Sequence, residues 1–174
     1  MTEPVVEQPP VVEPRRDPRT TAEDVAELAA HLSAQSVVYQ VNGGWAVDAH
    51  VGRQTREHGD VDVFLDERRL PETIGWLERR GYRTVADELP VRIELRRGDA
   101  VVDLHPMAVD EQGDGVQQGF DGERYLHPAA ERTTRRIGDA EVVVATVPRL
   151  VELRSGYPTR DIDVHDLRLL EQLA

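Results

Sequence analysis

Residues 42–65 read NGGWAVDAHVGRQTREHGDVDVFL. Two glycines precede an apolar helical run, and a strand follows in which aspartate alternates with valine. Side chains on a strand alternate faces, so Asp60 and Asp62 project together while Val61 and Val63 point to the other side. Parallel carboxylates repel unless a cation sits between them, and hard oxygen ligands suit Mg²⁺. Taken alone, such a pair is also what a strand with one wet face looks like. Gly43-Gly44 at the start of a helix exposes backbone N–H groups beside the positive end of the helix dipole, which is an anion site. Its plainer reading is a tight turn.

A third acid stands in Val101-Val102-Asp103-Leu104-His105. Its neighbours are apolar, so the Asp103 charge needs a partner, a metal or a strand end that reaches water. Arg53 and Arg56, in GRQTREH, can reach phosphate or pair with Asp48 and Glu57. Arg92 belongs to the strand beside Asp103 and is placed to bridge to an active-site acid. His58 and His105 lie near the acids; no HExxH or other close histidine pair exists, which argues against zinc. Trp45 and Trp76 read as core residues.

Working outward, Thr21-Ala22-Glu23-Asp24 has the form of a capping box, and Val25, Leu28, Ala29 and Leu32 share one helical face after it. Residues 36–41 read as a buried strand, 45–51 as a short helix ending near Gly52, and 60–65 as the acidic strand. Pro71 suits the first turn of a helix stopping near Gly81. Residues 91–95 and 100–104 flank a hairpin turn. Residues 109–122, rich in Gly, Gln and Asp, read as a loop. A strand over 141–146 and a short helix opened by Pro148 follow. Asp161 is placed to cap a last helix with Val164, Leu167 and Leu170 on its apolar face. The mixed order predicts an α+β fold, a mixed β-sheet flanked by helices.

The chain of 174 residues is long enough for one domain with a real core. Residues 1–19 carry five prolines and several acids, and are expected to be a disordered tail before a domain spanning 20–174. With no cysteine there is no disulfide framework and no thiolate site. No apolar run is long enough to cross a membrane and the first residues do not resemble a signal peptide, so a cytoplasmic protein is expected. All 21 basic residues are arginine, which reads as codon bias, and the formal charge is −12. That charge argues against nucleic acid as a partner and suits a cationic small molecule.

The segment GGWAVDAHVGRQTREHGDVDVFL resembles the core motif of the DNA polymerase β-like nucleotidyltransferases, in the branch of lincosamide and 2″-aminoglycoside nucleotidyltransferases. The resemblance covers residues 22–172 and recurs at VVDLHP (101–106) and GYPTRDIDVHDLRLL (156–170). It implies a polymerase β-like fold with a short C-terminal helical segment. It further implies that Gly43 and Gly44 hold nucleotide phosphates, and that Asp60, Asp62 and Asp103 bind Mg²⁺, with Asp103 able to take the acceptor's proton. The family's last motif often has lysine where this chain has Ile162, so Arg160 or another arginine, with Arg56, is expected to hold phosphate.

The activity so implied is transfer of AMP from ATP to a hydroxyl of a small aminated antibiotic, a lincosamide first and an aminoglycoside second. The compact chain leaves little room for a separate acceptor domain, so the resemblance implies an acceptor bound partly at a homodimer interface. Two other readings stand beside it: a nucleotidyltransferase with a protein or RNA acceptor, and a nucleotide-binding module without catalysis. Retention of all three acids favours an enzyme.

Overall fold

The computed structural model describes residues 17–155 and 158–174. Of the expected tail, residues 1–16 lie outside the described residues, as do Gly156 and Tyr157 of the C-terminal motif. Arg19 is tied down, its N–H donating to the Asp99 carbonyl at 2.7 Å and its guanidinium pairing with Glu57.

Helix α1 (Ala22–Ala34) starts at the expected box: Thr21 and Asp24 each accept the other's backbone N–H, and Val25, Leu28, Ala29 and Leu32 face the core. Strand β1 (Tyr39–Val41) is shorter than the 36–41 reading. Ser36 takes a positive φ of 53° and Val37 bonds back to the Leu32 carbonyl, so these residues turn the chain before pairing begins. Helix α2 (Gly43–Val51) includes both glycines and stops at Gly52 in the left-handed conformation. Strand β2 (Val61–Asp66) follows, then α3 (Leu70–Arg79) with Pro71 in its first turn.

The hairpin of β4 (Arg92–Arg97) and β5 (Ala100–Val109) forms as expected, with β3 (Arg83–Glu88) added antiparallel to β4. The 109–122 segment is not simply a loop: it contains β6 (Gly115–Gln118), which pairs β5, and β7 (Arg124–His127) pairs β6 in turn. Gly-Val-Gln-Gln has little strand preference of its own, and the overhanging end of β5 supplies the ladder. A second hairpin, β8 (Arg132–Ile137) and β9 (Ala140–Ala145), precedes α4 (Val147–Arg154) and α5 (Asp161–Leu173).

All nine strands join one sheet, in the order β3-β4-β5-β2-β1-β9-β8 with β6 and β7 continuing from β5. The β2–β5 and β1–β9 pairs are parallel and the rest antiparallel, a mixed sheet flanked by the five α-helices of the described residues. The core joins Leu32, Trp45, Val63, Leu65, Leu77, Leu104, Leu150 and Leu170, with Trp76 at its edge. Among the described residues no helix is long and apolar enough to cross a membrane.

One helix faces inward differently from its sequence reading. On α5 the buried residues are Asp163, Asp166 and Leu170, while Val164 is 39% exposed. Two acids on a buried face require cationic partners, and those partners define one wall of the site.

Candidate active site

The β-ladders bring acids into one row. Asp62 on β2 is in register with Asp103 on β5, and Asp103 with Glu94 on β4. One ligand atom each of Asp62, Asp103 and His105 lies within 4.8 Å of the others. Arg92 Nη1 donates to Asp103 Oδ2 at 2.7 Å, the expected bridge. The other oxygen, Asp103 Oδ1, is buried with no hydrogen-bond partner among the described residues. A buried orphan carboxylate oxygen beside a second carboxylate fits a hard divalent cation.

Asp60 precedes β2 rather than lying in it, and stands outside that tight group while sharing the cleft with Asp62. Loss of hydration in the cleft, then the charges of Asp62, Asp103 and Glu94, push its carboxyl up to about 6. Solvent reaches Asp60 from outside, which tempers the first cause; the crowd of like charges is what bears on cation binding. Burial pushes the Asp103 carboxyl up as well, with His105 and Arg92 acting against it.

Above the row opens a cleft of about 1000 Å³. The expected residues Gly43, Gly44, Arg56, Asp60, Asp62 and Arg160 all line it; Asp103 is not among the lining residues, although its ladder partners Asp62 and Glu94 are. Glu94 takes a place on the wall that the sequence reading left unassigned. Strand alternation was the available signal, since Arg92 and Glu94 share a face.

The glycine turn is sterically required. Gly43 adopts φ of 67°, and a Cβ there would stand 2.8 Å from Asp62 Oδ2. A Cβ on Gly44 would collide with the Arg56 guanidinium and the His58 ring. His58 in turn is buried, its Nε2 against Asp48 Oδ2 and its ring against Trp45. Asp48 is thus paired with His58 and Thr55, not with Arg53 or Arg56.

Opposite the acids stand arginines held by α5. Asp166 accepts from Arg56 through Nε and Nη2 at 3.1 and 3.0 Å, and from Arg154 Nη2 at 3.0 Å. Asp163 accepts from Arg160. Arg56 and Arg160 therefore line the cleft as members of ion pairs; the Arg56–Asp166 pair spans 110 residues and is invisible in the sequence, whereas Arg160–Asp163 is a local pair at the start of α5. A row of acids thus faces a helix N-terminus and a wall of oriented guanidinium groups.

Nucleotidyl transfer is the chemistry that uses both halves of such a cleft, and the fold is that of the polymerase β-like nucleotidyltransferases. The chain belongs to the aminoglycoside-2″-adenylyltransferase family, whose model matches residues 24–170. It is 27% identical over 150 residues to a lincosamide resistance protein of Staphylococcus haemolyticus, covering 86% of this chain and 91% of that one. A 2″-aminoglycoside nucleotidyltransferase of Klebsiella pneumoniae is 32% identical over 82 residues, 47% of this chain and 46% of that one. Among solved structures, the lincomycin-bound lincosamide adenylyltransferase LnuA superposes with a TM-score of 0.80 at 25% identity, covering 90% of this chain and 99% of its own. ANT(2″)-Ia in complex with adenylyl-2″-tobramycin shares the fold at a TM-score of 0.67 and 20% identity, covering 88% and 89%.

Proposed function

We propose that the protein transfers AMP from ATP to a hydroxyl of a lincosamide antibiotic, with aminoglycosides as the second acceptor class. In this reading residues 20–174 act as one nucleotidyltransferase domain, in the cytoplasm where ATP is supplied. The observation that carries the acceptor class is the near full-length likeness to the lincosamide resistance protein, against half-length likeness to the aminoglycoside enzyme.

Asp60, Asp62 and Asp103 would hold Mg²⁺, which when bound neutralises the triphosphate and polarises the α-phosphoryl group. The orphaned Asp103 oxygen and the crowding that raises Asp60 support this assignment. Gly43 and Gly44 offer backbone N–H groups to the phosphates, and Arg56 and Arg160 flank them. Arg56 keeps N–H donors beyond those engaged by Asp166 and the Glu57 carbonyl. Asp103 accepts the proton of the acceptor hydroxyl as its oxygen attacks the α-phosphorus. The bond from the α-phosphorus to the bridging oxygen breaks, and pyrophosphate leaves with that electron pair. Holding hydroxyl and phosphorus in line contributes roughly 7–11 kcal/mol in favourable cases.

Glu94, an acid of the cleft wall not assigned to the metal, suits an aminated acceptor. A second copy of the chain would complete the acceptor side in this reading. The exposed Phe120, Tyr125 and Leu126 around the β6–β7 hairpin offer the apolar surface for it. Pyrophosphate release from ATP and Mg²⁺, with lincomycin, clindamycin and aminoglycosides offered separately, tests the function. Release with lincosamides alone is expected; release only with RNA or protein would move the acceptor elsewhere.

A further inference from the structure

Behind the acid row runs a chain of hydrogen bonds with one residue from each of six strands. Arg132 Nε on β8 meets Gln40 Oε1 on β1 at 2.9 Å. Gln40 Nε2 meets His127 Nδ1 on β7 at 3.4 Å, and His127 Nε2 meets Gln117 Oε1 on β6 at 3.1 Å. Gln117 Nε2 meets His105 Nδ1 on β5 at 3.5 Å, and His105 Nε2 meets Asp62 Oδ1 on β2 at 3.1 Å. Gln40 and His127 are almost wholly buried, and His105 stacks on Phe64 with ring centroids 4.3 Å apart.

The direction of every bond follows from its ends. A guanidinium can only donate, so the Gln40 carbonyl faces Arg132 and its amide N–H faces His127. His127 then accepts at Nδ1 and donates from Nε2, Gln117 accepts and passes its own N–H onward, and His105 accepts at Nδ1. That leaves the His105 proton on Nε2, aimed at Asp62, and a carboxylate can only accept. Two obligatory ends, one donor and one acceptor, require the same polarity along the whole chain. Burial, with Arg149 and Arg132 nearby, pushes His127 down to about 4, which keeps it neutral and able to accept at one nitrogen.

We infer that His105 is a positioning residue for nucleotidyl transfer, held by the Arg132–Gln40–His127–Gln117 chain as an Nε2–H donor that orients Asp62, and is not itself a metal ligand. Its ring nitrogen lies within ligand range of the acid pair, so proximity alone would read it as a third ligand. A ligating nitrogen must be bare, and the polarity of the chain puts a proton there. His105 Nε2 also lies 3.6 Å from Asp103 Oδ2, so the same donor stands between both carboxylates. The consequence for catalysis rests on the proposed metal site, whereas the tautomer does not.

The test is long-range ¹H–¹⁵N NMR of the full-length protein labelled at histidine, with His105 assigned by loss of its signals in His105→Gln. The expected spectrum shows His105 protonated at Nε2 and bare at Nδ1, before and after addition of Mg²⁺. Gln117→Glu replaces the amide donor with an acceptor of the same shape and should place a proton on His105 Nδ1. Gln117→Met, which only breaks the link, should leave a mixture of tautomers. Removing a group that orients a metal ligand typically costs 10–100-fold in metal affinity or activity, so His105→Leu should raise half-saturating Mg²⁺ on that scale. An Nδ1–H tautomer in the wild-type protein, or loss of the Nε2 proton on adding Mg²⁺, overturns the inference. A protein that shows the expected tautomer but no Mg²⁺-dependent transfer would instead overturn the proposed function.

Discussion

Asp62 and Asp103 are direct partners across the parallel β2–β5 ladder, so two carboxylates meet with no residue between them. Only Arg92 and His105 touch Asp103 from the cationic side among the ion pairs described. Such a pair is tolerated where a cation is to be bound, and its value should lie in turnover rather than stability. Asp62→Asn and Asp103→Asn are expected to fold normally and to lose transfer, Asp103→Asn by roughly 10²–10⁴-fold if it is the general base. Steady-state rates beside thermal melts decide this; near-normal turnover in a well-folded variant would remove that residue from the mechanism.

Asp60 gives the site a pH signature. Folded, it holds its proton to about pH 6, against about 3.9 for an ordinary aspartate in the unfolded chain. Between those values the folded chain binds more protons, so this contribution is fully present below the unfolded value and is lost as pH rises through about 6. Without divalent cations, Asp60→Asn should therefore melt higher than wild type at pH 8, with the difference closing near pH 4. Added Mg²⁺ should raise the wild-type melting temperature at pH 8 more than that of Asp60→Asn. Equal differences at both pH values would contradict the charge-crowding account.

How much of this was legible beforehand depends on whether the cause was local. Thr21 and Asp24 cap α1 through neighbouring backbone, and Asp62 alternates with Val61 and Val63 on one strand, so both features show in the letters. Gly43 and Gly44 were legible as a turn, but the collisions that require glycine come from Asp62, Arg56 and His58 elsewhere in the chain. Strand β6 has weak propensity and exists because β5 overhangs its other partners. The inward face of α5 defied its apolar reading because Arg56 lies 110 residues away from the Asp166 it neutralises. The hydrogen-bond chain that reaches His105 was hidden likewise, since two of its links, Gln40–His127 and Arg132–Gln40, span 87 and 92 residues.

Gly43 should be intolerant of any side chain. Gly43→Ala must hold a left-handed φ, at roughly 1–2 kcal/mol, and push its Cβ toward Asp62 Oδ2. Urea unfolding should show that loss, and kinetics should show a raised KM for ATP together with a lower kcat. An unchanged KM would detach the turn from nucleotide binding.

Asp166 supports the arginine wall from below. Its side chain is 2% exposed and bridges Arg56 and Arg154. Removing one partner of a buried pair costs about 3–5 kcal/mol because the charge left behind is uncompensated. Asp166→Ala is expected at the upper end of that range by chemical denaturation, whereas Asp161→Ala, exposed at the start of the same helix, should change little. Comparable losses from both would mean that the helix, not the ion pair, sets the cost.

The most direct measurement is the mass of lincomycin after incubation with the protein, ATP and Mg²⁺. The drug is expected to gain one AMP, with one pyrophosphate released per molecule modified, and neither product should form with Asp62→Asn. Unmodified lincomycin and aminoglycosides, with ATP bound and no pyrophosphate released, would contradict the proposed function.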